Sequence, residues 1–312
     1  MLRTRRNLAI DTANLERWLR LALLLGWIAS LLAPAVSDAE PRPGADLQPR
    51  TRIQRPRIAI VIDDVGAKPG AEVGFTQLGV PITFSLLPQY RETAALAFRL
   101  QLLGFETMLH LPAQPLRERE VDGPGFLTLR QGRAAFMRLL EHHLRAQPLA
   151  RGVNLHMGSR LSQDSAAMAR ILERLKRSKL FFLDSRTIHT SVAYYEALQR
   201  GLVAQVRDHF LDHTHTSASV LEMLADARRT AETQGFAVVI GHPLPCTLRA
   251  LRQFIAEHGS HVELVPLSKL MHRGLPGPRG GEDFTRRPRR RASPQTPTFG
   301  PSDRRQHSAA HH

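Results

Sequence analysis

The sequence predicts an α/β fold whose mainly parallel sheet closes into a barrel. From residue 58 onward, short apolar runs alternate with longer amphipathic segments. Four glycines follow amphipathic segments at the places where helices end: Gly104, Gly201, Gly235 and Gly259. Alternation of this length is typical of parallel α/β folds, and seven or eight strand–helix repeats predict closure into a barrel.

Each apolar run is short enough to be one strand, and each amphipathic segment is long enough to be one helix. The first run, 58–62, is rich in branched residues and ends in Asp63 and Asp64, which is typical of a buried parallel strand. Strands are predicted over 58–62, 82–86, 106–109, 152–156, 181–184, 203–206, 237–240 and 262–264. Helices are predicted over 92–103, 133–145, 165–176, 193–199, 218–233 and 248–257.

The N-terminus has the features of an export segment. Residues 21–36 carry no charge, several arginines precede them, and small residues lie at Ser37 and Ala39. We predict a signal peptide over 1–39, cleaved after Ala39, and an uncleaved inner-membrane anchor is the alternative. The protein is therefore expected in the periplasm, or anchored and facing it. A linker over 40–56 follows, because this stretch is rich in Pro and Arg.

The net charge of +15 comes mainly from the flanks of the chain. Residues 1–57 hold ten basic and five acidic side chains, and residues 273–312 hold nine and three. The central residues 58–272 keep 24 basic and 20 acidic side chains, so the predicted domain at 57–272 is not a basic nucleic-acid module. The tail at 273–312 is predicted to be disordered. Cys246 is the only cysteine of the sequence, which excludes an intramolecular disulfide framework.

Ionisable residues lie at or just after six of the predicted strands. They are Asp63, Asp64, His110, His156, Asp184, Asp208 and His242. In a parallel barrel the carboxyl ends of the strands gather on one face, where active sites lie. Histidines and a carboxylate there suit a divalent ion such as zinc, and an adjacent acid suits a general base. A long polar connection over 112–131 is expected at the same rim.

Each of these residues also has a structural interpretation. Asp63 and Asp64 are compatible with a polar turn after a strand. His110 and His156, taken singly, are compatible with hydrogen-bonded core histidines, and Asp184 with a helix cap. Asp208 is interpreted as a loop residue. Their coincidence on one rim favours a functional site.

Five segments carry a resemblance to a known family. They are residues 58–66, 110–112, 154–159, 182–185 and 240–243. In these segments the sequence resembles the divergent polysaccharide deacetylases of bacterial envelopes, which are exported relatives of metal-dependent carbohydrate esterases. The resemblance covers residues 57–270 and implies a distorted (β/α) barrel. It further implies removal of acetyl groups from an acetylated polysaccharide or peptidoglycan-type glycan.

The resemblance implies a role for individual residues. Asp63 matches the catalytic base, Asp64 a metal ligand, and His242 the histidine that protonates the leaving group. Active deacetylases carry two metal-binding histidines as His-x-x-x-His, but Gln114 occupies the second position after His110. We therefore hypothesise that His156, from the next strand, completes a site with Asp64 and His110.

Two further residues have a predicted substrate role, and two other functions compete with deacetylation. Asp184 and Ser159 are predicted to bind or orient the substrate. The first competing function is a non-catalytic protein of the same fold that binds a glycan or an envelope partner, which the missing histidine favours. The second is binding to nucleic acid or another anionic surface through the basic tails, which the nearly balanced charge of the central domain opposes.

Overall fold

A computed structural model describes residues 55–117 and 125–271. The predicted export segment or anchor at 1–39 lies outside these ranges, as do residues 40–54 of the linker and the predicted tail. Residues 118–124 of the predicted rim connection also lie outside them. Within the described ranges, no helix combines the length and the apolar character needed to cross a bilayer.

In the described residues nine strands form one sheet in which all pairs are parallel. They are β1 (Arg57–Val65), β2 (Thr83–Leu86), β3 (Glu106–Ala113), β4 (Gly152–Met157), β5 (Phe181–Asp184), β6 (Ala204–Val206), β7 (His209–Phe210), β8 (Phe236–Gly241) and β9 (Glu263–Leu264). The order is β6-β5-β4-β3-β2-β1-β8-β7, and β9 also pairs with β1. The sheet is a curled, incompletely closed barrel, which confirms the predicted distorted (β/α) barrel.

Seven α-helices in the described residues connect the strands. They are α1 (Val73–Thr76), α2 (Thr93–Leu102), α3 (Arg133–Ala146), α4 (Ser165–Arg177), α5 (Ala193–Gln199), α6 (Ser217–Gln234) and α7 (Pro245–His258). Asp164 caps α4 by accepting a hydrogen bond from the amide of Ala167 at 2.8 Å. Gly235 ends α6 with a φ of 85°, which glycine adopts without steric cost. Helix α7 begins three residues before its predicted start, because proline fits the first turn of a helix.

The strands differ from prediction mainly at their ends. Strand β3 extends four residues beyond its predicted end, since Leu109 to Ala113 remain paired with β4. His110 therefore lies inside β3 and does not follow it. Strand β7 was not predicted, because two residues are too short to show a pattern.

Apolar residues cover both faces of the sheet. In β1, Ile58, Ile60 and Ile62 pack outward in a cluster with helix residues, whereas Ala59 and Val61 pack inward. The inner cluster also contains residues from other strands and from the 3₁₀ turn Leu267–Leu270: Met108, Leu183, Val238, Ile240, Leu267 and Leu270. Because strand side chains alternate in direction, this inner set fixes which residues further along each strand point into the barrel.

Replacing a buried core leucine should destabilise the fold. Leu172 of α4 is fully buried in a second helix-facing cluster, which includes Val153 of β4, whereas Leu102 at the end of α2 is 71% exposed. We expect Leu172→Ala to lower the free energy of unfolding by about 2–5 kcal/mol, because transfer and cavity terms add. Leu102→Ala should change it by less than about 0.5 kcal/mol. Chemical denaturation measures both, and equal losses would contradict this packing.

Candidate metal centre

The candidate site lies inside the barrel, above the inner apolar cluster. Residues 59 and 61 of β1 point inward, so alternation places Asp63 on the same side. The same alternation places His110 above Met108, and His242 above Val238 and Ile240. In each of these strands the earlier inward residues are apolar, and the next inward residue is polar.

An irregularity in β1 brings both adjacent aspartates to the site. The pairing of β1 with β2 shifts register between Ile62 and Val65, and Asp64 has a φ of 57°. A regular strand would point Asp64 to the outer face, opposite Asp63. The left-handed conformation turns its carboxylate back toward His110 and His156. Such strain in a residue other than glycine is found preferentially at functional sites.

Three side chains converge as a ligand set. Oδ1 of Asp64 lies 3.1 Å from Nε2 of His110 and 2.8 Å from Nδ1 of His156. The ligand atoms of these three residues all lie within 4.8 Å of one another. Oδ1 of Asp64 is buried, yet no hydrogen bond of acceptable geometry satisfies it. Two imidazoles and a carboxylate that converge without aligned hydrogen bonds fit a divalent ion, and zinc prefers these ligands.

Gln114 does not take part in this ligand set. Its Oε1 accepts a hydrogen bond from the amide of Leu129 at 2.9 Å, and its carbonyl accepts from the amides of Arg160 and Leu161. Gln114 therefore holds the rim connection against the segment that follows β4. The structure places His156 beside His110 and Asp64.

The charges of the site favour ionised groups. Burial alone would raise the pKa of Asp64, but the contacts with His110 and His156 outweigh burial and hold its pKa far below the usual value. Burial lowers the pKa of His110, whereas Asp63 and Asp64 raise it, and the net shift is upward. A divalent cation that bound here would therefore displace the proton that His110 holds beside Asp63 and Asp64.

Asn154 of β4 is a fully buried residue that contacts both Asp63 and His110. Its Nδ2 donates to Oδ1 and Oδ2 of Asp63 at 2.9 and 3.0 Å. Its Oδ1 lies 2.9 Å from Nδ1 of His110 and accepts from the hydroxyl of Ser85 at 2.6 Å. Asn154 was not predicted to be a site residue, although its alternation with His156 on β4 places it on the inner face.

His242 lies across the site from the ligand set. Its Nε2 is 3.6 Å from Oδ2 of Asp64, and its Nδ1 is 2.9 Å from Oδ1 of the buried Asp212. Oδ2 of Asp212 accepts from the amide of His242 at 2.6 Å and from the hydroxyl of Thr247 at 2.7 Å. Asp212 thus fixes the orientation of the imidazole. Sequence analysis missed it, because it follows the two-residue strand β7.

The partners of His242 determine its protonation. Burial lowers the pKa of His242, but the bond and charge of Asp212, with smaller contributions from Asp63 and Asp64, raise it to about 9. Burial raises the pKa of Asp212, whereas its bonds to His242 and Thr247 lower it, and the net shift is downward. At neutral pH His242 is therefore a protonated group available to donate.

The two residues predicted to bind substrate have structural partners. Oδ1 of Asp184 accepts from the amide of Arg186 at 2.9 Å, and its Oδ2 accepts from the hydroxyl of Ser191 at 2.8 Å and the amide of Tyr194 at 3.2 Å. These bonds agree with the helix-cap interpretation of Asp184. The hydroxyl of Ser159 accepts from the amide of Leu116 at 2.9 Å. Substrate contact by either residue stays a prediction.

Other residues near the rim organise the backbone. Oδ2 of Asp208 accepts from the amide of Val238 at 2.8 Å, which agrees with a loop role. The guanidinium of Arg207 donates to the carbonyls of Ser185 and Arg186 at 2.6 and 3.0 Å. Burial lowers the pKa of Arg207. The connection after β5 is thus held in place from two sides, by Asp184 and by Arg207.

Comparison of the sequence with known proteins identifies relatives. The family described as divergent polysaccharide deacetylase matches residues 60–271. The chain is 30% identical over 218 residues to the uncharacterized protein YibQ of Escherichia coli (strain K12), covering 69% of this chain and 67% of YibQ. It is also 30% identical over 217 residues to an uncharacterized protein of Haemophilus influenzae, covering 69% and 76% of the two chains.

One solved structure shares the fold over most of its length. The crystal structure of uncharacterized protein ATU2773 from Agrobacterium tumefaciens C58 matches with a TM-score of 0.67 and 22% identity. The match covers 74% of this chain and 92% of ATU2773. The two proteins therefore have the same curled (β/α) architecture.

Removing His156 should abolish metal binding if this residue replaces the second histidine of a His-x-x-x-His pair. We expect about one zinc or similar ion per wild-type chain, and loss of that ion in His156→Ala and in Asp64→Ala, since each supplies a ligand atom. His189→Ala, at an exposed loop position, is the matched control. Elemental mass spectrometry of the purified protein measures metal per chain, and an unchanged content in His156→Ala would refute this ligand set.

Replacing Asp212 should lower the pKa of His242. We expect Asp212→Asn to move it from about 9 toward or below 6.5 in the metal-free protein, because burial remains when the opposing carboxylate is lost. NMR titration of the imidazole measures this, with the partly exposed Asp226→Asn, whose carboxylate pairs with Arg229, as control.

The same pair should also make stability depend on pH. The folded-state pKa of His242 lies above its unfolded value of 6.5, so its contribution is fully present below pH 6.5 and is lost as pH rises through about 9. Denaturation of the metal-free protein across this range should show a smaller loss for Asp212→Asn than for wild type. Parallel curves for the two proteins would contradict the assignment.

Proposed function

This chain belongs to the divergent polysaccharide deacetylase family, and we propose that it is a metal-dependent hydrolase that removes acetyl groups from envelope glycans. The observation that carries this proposal is the convergence of Asp64, His110 and His156, with Asp63 and His242 on either side. A ligand set beside a carboxylate that can accept a proton and an imidazole that can donate one supplies the components of amide or ester hydrolysis.

Asp64, His110 and His156 would hold the ion through Oδ1, Nε2 and Nδ1. When bound, a divalent ion, which we propose to be zinc, supplies a Lewis acid for the acetyl carbonyl and the attacking water. Three protein ligands leave coordination positions for substrate, as in catalytic zinc sites.

Asp63 accepts the proton of the attacking water. Its carboxylate is buried and lies 3.8 Å from Nε2 of His110, so it borders the ligand set. Asn154 donates to both of its oxygens and thereby fixes the plane of the carboxylate. Asp63 has no ligand atom in the three-residue metal group, which leaves it free for proton transfer.

His242 delivers a proton to the departing amine or alcohol. Its pKa of about 9 keeps it protonated at neutral pH, and Asp212 orients the ring so that Nε2 faces Asp64. Base and acid are thus separate residues on β1 and after β8. This separation allows one group to take a proton while the other gives one.

The substrate we propose is an N- or O-acetylated polysaccharide or a peptidoglycan-type glycan of the envelope. The export segment predicted at 1–39 supports a periplasmic location, with or without anchoring to the inner membrane. The nearly balanced charge of residues 58–272 supports a glycan in preference to nucleic acid.

A non-catalytic protein that binds a glycan or an envelope partner is the second candidate. Gln114, at the position of the second histidine in active deacetylases, is the observation that favours it. Such a protein would bind its ligand in the absence of metal and would release no acetate.

Asp63→Asn should separate these two functions. We expect wild type to release acetate from acetylated chitin oligomers or peptidoglycan when metal is supplied, and Asp63→Asn to be about 10²–10⁴-fold slower, because the base is lost. Metal content should stay unchanged in this variant. Enzymatic assay of free acetate measures the rate, and the partly exposed Asp226→Asn is the control. Glycan binding without acetate release, in wild type loaded with metal, would favour the second candidate.

A further inference from the structure

We propose that Asn154 is a positioning residue that couples the base Asp63 to the metal ligand His110. Its amide would fix which nitrogen of His110 carries a proton and would hold the carboxylate of Asp63 at the same time. The part of this inference that concerns Asp63 rests on the proposed function. The part that concerns His110 involves only the position of a proton on its imidazole and the affinity for a metal.

The position of Asn154 makes such coupling direct. It lies on the inner face of β4, opposite His110 in the register of β3 and β4, and none of its surface is exposed. Its Nδ2 is 2.9 and 3.0 Å from the two oxygens of Asp63, and its Oδ1 is 2.9 Å from Nδ1 of His110. One amide group therefore touches two different functional side chains.

The neighbours of the amide determine its orientation. The side-chain nitrogen of Asn154 lies within hydrogen-bond distance of both carboxyl oxygens of Asp63 and donates to them, so it faces Asp63. Its oxygen then faces His110 and Ser85, and the Ser85 hydroxyl donates to it at 2.6 Å. The hydroxyl of Ser185 lies 3.1 Å from the Asn154 nitrogen and accepts from it. An exchange of oxygen and nitrogen would place two acceptors against each other at Asp63.

This orientation has a consequence for His110. Because Oδ1 of Asn154 can only accept, Nδ1 of His110 must donate, which leaves the lone pair of Nε2 for the neighbouring ligand position. Nε2 is the atom that lies 3.1 Å from Oδ1 of Asp64. Residues that fix the tautomer of a metal-binding histidine typically change metal affinity or activity by about 10–100-fold when replaced.

Two substitutions separate the two halves of the coupling. Asn154→Asp keeps an acceptor for His110 but replaces the fixed amide donor with a second carboxyl group, which competes with Asp63 for a proton. We expect metal affinity within about threefold of wild type or tighter, and acetate release reduced by about 10–100-fold. Asn154→Leu removes both functions at similar volume, and we expect both quantities to fall by about 10–100-fold.

Gln205→Leu is the matched control. Gln205 is also a fully buried amide on an inward position, but its Nε2 donates to the carbonyl of Leu270 at the opposite end of the barrel. Its replacement should lower stability without changing metal affinity. Chelator competition gives the metal dissociation constants, and circular dichroism verifies that each variant is folded. Asn154→Leu with the affinity of wild type would overturn the proposal.

The tautomer of His110 gives a readout that requires neither metal nor turnover. In metal-free wild type at alkaline pH, where the ring is neutral, ¹⁵N NMR should show the proton on Nδ1. Asn154→Asp should retain this tautomer and Asn154→Leu should lose it. A proton on Nε2 in wild type would also overturn the proposal. Absence of acetate release, with these NMR and metal results as expected, would instead count against the proposed hydrolase function.

Discussion

The site depends on one break in the regularity of β1. Between Ile62 and Val65 the register against β2 shifts, and Asp64 takes a left-handed conformation. Without it, two adjacent carboxylates would lie on opposite faces of the sheet. With it, one carboxylate contacts two imidazoles, while its neighbour binds the Asn154 amide. Ile58, Ile60 and Ile62 of β1 are buried in one cluster. Their packing holds the strand in place and offsets the strain at Asp64.

Strand alternation determines most of what can be learned about this site from the sequence. The strand–helix order and the inward positions of Asp63, His110 and His156 follow from strand alternation. The inward turn of Asp64 does not, because it comes from the break in β1. Asp184 shows that a position at the end of a strand does not by itself place a side chain in the site. Since Leu183 points into the barrel, Asp184 points outward, and it bonds to the start of α5. A residue-by-residue count of inward positions would have separated it from the others.

Other features had no usable signal in the sequence. Asp212 follows a strand of two residues, so neither periodicity nor length marks it. Its importance comes from a contact with His242, 30 residues away, which only the tertiary structure provides. The left-handed conformation of Asp64 also has no signal in the sequence, since aspartate does not by itself specify this conformation within a strand. Asn154 is an intermediate case, because its face could be predicted but its two partners could not.

Placing the two imidazoles on neighbouring strands changes what holds the ligand set together. In a His-x-x-x-His segment, one connection orients both rings. Here, parallel pairing sets His110 opposite Asn154 and Pro112 opposite His156, and the two rings meet edge to face at 5.0 Å. Main-chain hydrogen bonds between β3 and β4 therefore fix their separation. Gln114 binds the backbone of the rim connection. The geometry of the centre thus depends mainly on the sheet itself, and the connection beyond β3 adds a contact between the rings of Phe126 and His156 at 5.9 Å.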